Sequence, residues 1–242
     1  VFGLTALANA VVGLYIFLLV PEYLLRFVAF LASRLVYRFR VHGDQHIPEE
    51  GAAVLAANHV SFVDAVLLMA ASPRPIRFVM DHRIFATPLI GALFKLAKAI
   101  PIAPQKEDPK LYEAAFAEVD RVLSKGGLVG IFPEGGITRD GELQPFKGGI
   151  MKILEGRPVP VIPAALQNLW GSFFSRVEQG TAMVRPFRRG AFSRVGLVVG
   201  EPMAPAVTMT SDAAAIRSIL PPSTISMPVA RPFSTTMRLT ST

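Results

Sequence analysis

The chain has no cysteine among its 242 residues, and that absence removes a cysteine nucleophile, a disulfide framework and thiolate metal sites together. A reducing compartment fits such a composition. Also missing are G-x-S-x-G, G-x-G-x-x-G, the P-loop and H-E-x-x-H. An elbow-type serine hydrolase, a nucleotide-phosphate loop and a common zinc site therefore lack support. Histidine is scarce, at four, and tryptophan occurs once. Charge is absent from the first twenty residues, "VFGLTALANAVVGLYIFLLV".

An uncharged run of that length just covers the roughly 30 Å of a bilayer's hydrocarbon, which predicts an N-terminal membrane helix. Pro21 and Glu22 interrupt it, and "YLLRFVAFLASRLVYRFRV" resumes with Arg26, Arg34, Arg38 and Arg40. This second stretch reads as interfacial, its arginines snorkelling while Phe27, Phe30, Leu31 and Leu35 face apolar material. If the first run spans, the arginines place the remainder of the chain on the cytoplasmic side of the inner membrane. With no basic n-region and no small-residue cleavage site, a signal peptide is not expected. The missing initiator Met suggests the last span of a longer membrane protein. A net charge of +7 alongside a mean hydropathy of +0.43 points to membrane lipid rather than nucleic acid as partner.

From about residue 50, short apolar runs alternate with turns. "AAVLAANH" reads as a buried strand, "FVDAVLLMAAS" as a helix, "IRFVM" as a strand, "PLIGALFKLAK" as a helix and "AIPIAP" as a short strand. "KLYEAAFAEVDRVLSKGG" is an amphipathic helix with Leu111, Ala115, Val119 and Val122 on one face and Gly126 or Gly127 as its stop. "LVGIFPEGG" is a strand entering a glycine turn, "GGIMKILEG" a helix, and "VPVIPAAL" and "RVGLVVGEPM" strands. The alternation predicts one α/β domain over residues 37–210, behind a helical membrane segment at 1–36 and before a poorly ordered Ser/Thr/Pro-rich tail at 211–242.

Two stretches could carry chemistry. In "NHVSFVD", with Ser61 as the cap of the following helix, Asp64 falls in its first turn and reaches back towards His59. An aspartate there fixes the imidazole tautomer and leaves the other ring nitrogen to take a proton from a hydroxyl. A plain capping pair beside a strand-ending histidine accounts for the same residues. In "FPEGGITRDGELQPFKGG", Glu134 closes a strand, Gly135 and Gly136 permit close backbone approach, and Arg139 and Lys147 are available to a phosphate. A solvated hairpin explains that stretch equally well. His42, His46 and His82 lack a carboxylate placed as Asp64 is and read as surface residues; Tyr37, Phe39 and Trp170 read as packing or interfacial aromatics.

Taken together, "NHVSFVD", "FPEGG" followed by "PFKGG", and "VPVIPAA" resemble, in order and spacing, the blocks of the glycerolipid acyltransferases of the lysophosphatidic-acid type, from about residue 38 to 205. The arginine-rich entry is most similar to acylglycerophosphoethanolamine acyltransferase domains fused behind a bacterial lysophospholipid transporter. The resemblance implies a single mixed-sheet α/β domain. It implies His59 as general base and Asp64 as its orienting partner, with Asn58, Ser61, Glu134, Gly135, Gly136, Arg139, Lys147 and Pro163 in the acceptor site. It implies lysophospholipid as acceptor, acyl-CoA or acyl carrier protein as donor, and neither metal nor cofactor. Two positions depart from the family. Ile137 stands where E-G-T-R would place its arginine, and "IPIAPQK" puts Ala103 and Pro104 where the second block ends in an acidic residue and an arginine. Fewer cations favour an acceptor whose phosphate already bears a head group. A hydrolase or transacylase using the same pair, and a catalytically silent lipid-binding domain, remain the alternatives.

Overall fold

The first element, α1 (Phe2–Leu19), stops where Pro21 opens α2 (Pro21–Val36). Proline is tolerated in a first helical turn because its missing N–H would have no intrahelical partner there. The computed structural model describes residues 2–19, 21–88, 90–138, 141–170, 172 and 192–205. At 1.5 Å per residue the 18 residues of α1 extend about 27 Å, short of the roughly 30 Å of hydrocarbon. Among the described residues no helix is long and apolar enough to cross a membrane. The structure thus gives no support to the expected membrane-spanning N-terminal helix. Its apolar run ends at Glu22, and Glu22 is tied back to the protein by Arg77 (3.0 Å) and by Lys98.

Helix α2 buries Leu25, Ala29 and Ser33, four residues apart, and leaves Tyr23, Phe27, Phe30, Leu31 and Leu35 outside. The Arg26 guanidinium donates to the Ser72 carbonyl and fastens its middle. The stretch expected to stay interfacial through Val41 instead ends in a strand, β1 (Tyr37–His42). Its apolar and basic residues alternate with the period of two that strands require. Tyr37 and Phe39 point into the core, while Arg38 and Arg40 point to solvent.

Six further strands follow: β2 (Ala53–Ala57), β3 (Ile76–Asp81), β4 (Ile100–Ile102), β5 (Leu128–Ile131), β6 (Val161–Gln167) and β7 (Ser193–Val199). Among the described residues they form a seven-stranded sheet ordered β1-β7-β6-β2-β5-β3-β4. The pairing is parallel except between β6 and β7, so β1 and β7 run against the other five and the sheet is mixed, as expected. Strands β2 and β6 are apolar and buried along nearly their whole length, which a central parallel strand covered on both faces demands. One face packs on α2, α3 (Asp64–Ala71) and α4 (Ile90–Leu96); the other packs on α5 (Pro109–Ser124) and α6 (Gly149–Gly156). Helix α5 starts where the Asp108 carboxylate accepts from the Leu111 N–H (2.9 Å), and it ends before Gly126, at φ 75°, as predicted. The tail expected at 211–242 and the candidate Arg139 lie outside the described residues.

The link from α2 to the sheet is pH-sensitive. Burial works against ionisation of Glu22, but hydrogen bonds and attraction from Lys98 and Arg77 outweigh it and hold the carboxyl below its ordinary value of 4.5. A group depressed on folding contributes stability above its unfolded pKa and loses it as pH falls through the folded one. Amide exchange in α2, followed by mass spectrometry, is expected to quicken below that range. The Glu22→Gln variant is expected to show faster exchange at neutral pH and less of the acid step.

Candidate active site

Strands β2 and β5 lie side by side at the centre of the sheet, and the loops leaving their C-terminal ends face each other. The loop after β2 carries Asn58 to Val63, and the loop after β5 carries Phe132 to Gly148. Helix α3 begins at Asp64, and Val63 occupies its cap position without a side-chain hydrogen bond. Ser61 is thus not the cap. It is fully buried, and its hydroxyl accepts a long bond from the Val63 N–H (3.4 Å). Asp64 itself turns back over the loop. Its Oδ2 accepts from the backbone N–H groups of Val60 (2.7 Å) and Ser61 (2.9 Å) and meets His59 Nδ1 at 2.7 Å. Capping and imidazole orientation are one device here, because the same oxygen serves the backbone and the ring.

Four groups hold His59. Besides Asp64 on Nδ1, the Phe132 ring stacks on the imidazole at 4.2 Å and 16°. Glu134 Oε1 accepts the His59 backbone N–H (2.7 Å), and the Thr138 N–H donates to the His59 carbonyl (2.8 Å). Phe78 from β3 stacks behind Phe132 at 5.8 Å. It can do so because residue 130 is glycine: a Cβ there would lie 2.5 Å from the Phe78 ring. Phe132 and Thr138 did not emerge from the sequence as site residues, although both lie in or beside the "FPEGG" block; an aromatic ending a strand and a threonine in a turn carry no signal of their own.

The second oxygen of Glu134 accepts from the Gln144 N–H (2.8 Å), so both oxygens are engaged by backbone donors from opposite sides of the site. Burial pushes the Glu134 carboxyl up, and the N–H bonds from Gln144 and His59 oppose that rise. Burial likewise pushes Asp64 up, against the hydrogen bonds from His59, Ser61 and Val60. His59 retains 20% exposure of its side chain, and its Nε2 makes no hydrogen bond among the described residues. A carboxylate at Nδ1 favours the tautomer protonated there and leaves Nε2 facing outward.

The other candidates separate. Lys147 belongs to the site: its N–H bonds the Pro133 carbonyl (2.8 Å) and its ammonium folds over Gly135 onto that residue's carbonyl (3.2 Å). Gly135, at φ 64°, admits this, since a Cβ would sit 2.7 Å from the lysine chain. Gly136 is exposed beside it. Asn58 faces away; its amide exchanges two hydrogen bonds with the backbone of Leu166 (3.1 and 2.7 Å) and pins the loop to β6. Pro163 is buried within β6 opposite Ala56, where it shapes the sheet. His82 is part-exposed, 3.7 Å from Asp81 and 3.6 Å from Glu107, with no carboxylate among the described residues hydrogen-bonded to it as Asp64 is to His59. Among the described residues no three His, Asp or Glu side chains are grouped as a metal would require.

A histidine clamped on an aspartate, with a glycine turn across the strand ends, is the arrangement implied by the sequence blocks, and the acyltransferase family model matches residues 38–167. The chain belongs to the acyltransferase family. A 1-acyl-sn-glycerol-3-phosphate acyltransferase of Bacillus subtilis is 27% identical over 68% of the chain and 73% of its own length. A chloroplastic one from Brassica napus is 29% identical over 54% of the chain, and one from Limnanthes douglasii 30% identical over 61%. The match spans only 38% and 50% of those two proteins. The crystal structure of the 1-acyl-sn-glycerophosphate acyltransferase PlsC from Thermotoga maritima shares the fold, with a TM-score of 0.60 over 82% of this chain and 74% of that one, at 21% identity. These relatives are all named as 1-acyl-sn-glycerol-3-phosphate acyltransferases. These relatives lend no support to the expected transporter fusion or acylglycerophosphoethanolamine context.

The geometry makes Glu134 a holder of the loop that carries His59. Glu134→Ala is expected to lower kcat about tenfold to a hundredfold, the scale of losing one charge-assisted hydrogen bond of about 1.5–3 kcal/mol, with KM for the acceptor nearly unchanged. A rise in KM at constant kcat would show that the carboxylate binds acceptor instead.

Proposed function

We propose that this chain transfers a fatty acyl group from an acyl thioester to the free hydroxyl of a lysophospholipid, at a membrane surface. The observation that carries the reading is the His59 ring, fixed by Asp64 at Nδ1 and open at Nε2. As the acceptor oxygen attacks the thioester carbonyl, Nε2 takes the hydroxyl proton. The tetrahedral intermediate then collapses, the carbon–sulfur bond breaks, and the imidazolium returns the proton to the departing thiolate. Asp64 stabilises the imidazolium in between. Neither step needs a covalent acyl-enzyme, a metal or a cofactor. The donor is carried by coenzyme A or acyl carrier protein.

The relatives are named for 1-acyl-sn-glycerol-3-phosphate. In this chain Ile137 and Pro104 stand where the blocks would carry arginines, and Lys147 is the one described cation over the glycine turn. That shortage supports an acceptor whose phosphate bears a head group. Helix α1 is apolar and exposed all along its described side chains, with Phe2 at 95%. A helix apolar all round suits a hydrocarbon environment, so α1 and the outer face of α2 are read as lying in one leaflet without crossing it. Acyl thioesters are cytoplasmic, which makes the cytoplasmic face of the inner membrane the location proposed.

The test is to incubate the protein in lipid vesicles with a panel of lysophospholipids and both thioester donors, and to weigh the products. Diacyl product from head-group-bearing acceptors supports the reading in full. Product from lysophosphatidic acid alone would overturn the acceptor assignment, and release of free fatty acid without diacyl product would overturn transfer itself.

A further inference from the structure

We propose that α4 is a second bilayer-contacting element, laying Ile90, Leu93 and Leu96 into the same leaflet as α2. These residues recur every three positions and form one stripe, exposed by 49%, 38% and 45%. The opposite side of α4 is anchored: Phe94 is in the core, and Gly91 is seated so closely on the preceding turn that a Cβ would lie 2.3 Å from the Phe85 carbonyl oxygen. The helix therefore cannot roll to bury its stripe.

The C-terminal end of α4 adjoins the start of α2. Both helices pack on the same core cluster, through Leu25 and Ala29 from α2 and Phe94 from α4. Their ends are bolted together, because Glu22 bonds Lys98 and Arg77, and Arg77 also donates to the Ala97 carbonyl (3.0 Å). Beside the apolar row stand exposed Lys95 and Lys98, and α4 carries no acidic residue. Apolar side chains flanked by lysines match a leaflet with anionic headgroups. Phe62, exposed by 45%, stands between His59 and Asp64 on the loop of the site. One helix pair fixes a line on the bilayer; a further helix beside it fixes a plane, and with it the depth at which His59 meets a lysophospholipid.

This rests on the bilayer reading above, and the experiment separates the two. Binding of the full chain to mixed phosphatidylglycerol and phosphatidylcholine vesicles is measured by co-sedimentation. The variants are one with Ile90, Leu93 and Leu96 changed to Gln, and one with Phe27, Phe30 and Leu31 changed to Gln. The α4 variant is expected to bind about thirtyfold more weakly, as losing three half-buried apolar contacts implies. It is expected to melt as the wild type does and to keep its activity on a short-chain, water-soluble lysophospholipid. If the α4 variant binds like wild type while the α2 variant is released, the inference falls and the bilayer reading stands; if both bind like wild type, both fall. A change from dimer to monomer in the α4 variant with vesicle binding intact would make the stripe a self-interface and overturn the inference. Leu93→Trp provides a test that leaves the stripe apolar: its added fluorescence is expected to shift to the blue with vesicles, and no shift overturns the inference.

Discussion

Replacing His59 by alanine is expected to lower acyl transfer by about 10²–10⁴-fold, the usual worth of a positioned general base, with the melting temperature little changed. The imidazole is the only described group at the site with an unengaged basic nitrogen facing outward, since Asp64 and Glu134 are both buried against hydrogen-bond donors. Its loss opens no large cavity, because the ring lies at the mouth on top of Phe132. The measurement is kcat with saturating thioester and lysophospholipid, alongside a thermal melt. Near-full activity in His59→Ala would remove the histidine from the chemistry and with it the proposed mechanism.

Asp64→Asn is expected to lose nearly as much turnover and to hold or gain stability. An amide oxygen can still accept from the Val60 and Ser61 N–H groups, so the loop keeps its shape. The same oxygen can still accept from the ring at Nδ1, but it no longer offers a negative charge to the imidazolium, and turnover is expected to fall by orders of magnitude for that reason. The stability sign comes from burial, which raises the Asp64 carboxyl above its ordinary value of 3.8. A carboxyl raised on folding costs stability once pH passes its unfolded pKa, and the cost grows until pH passes the folded one. The neutral amide escapes that cost. Melting temperatures of the two proteins, followed from acid to neutral pH, are expected to cross or to favour the variant at neutrality. A variant that is markedly less stable at neutral pH would mean that the charge supports the fold, and its lost activity would then no longer report on the imidazolium alone.

The blocks around His59 and Glu134 were legible because both are local. The partner of the imidazole lies five residues away on the same loop, and the strand-turn pattern of "LVGIFPEGG" places its glycines at a strand end. Helices α5 and α6 were equally plain, their apolar residues recurring at helical spacing between cap and stop. The edge strand β1 was missed although "YRFRVH" alternates, because basic residues after an apolar stretch also describe an interfacial segment; its pairing with β7, over 150 residues later, decides between the two.

The sequence by itself determined the chemistry on offer: no thiol, no metal loop, one histidine with an aspartate in reach, and an uncharged N-terminal run. Tertiary structure decided how those residues are used. Setting the end of β5 beside the end of β2 brings the Glu134 carboxylate to the His59 N–H and the Phe132 ring to its imidazole, 75 and 73 positions along the chain. Likewise, only tertiary packing sets α2 and α4, far apart in the chain, on one core. Such contacts depend on which strands pair and which faces pack, and a periodic pattern carries the face of each element without naming its neighbour.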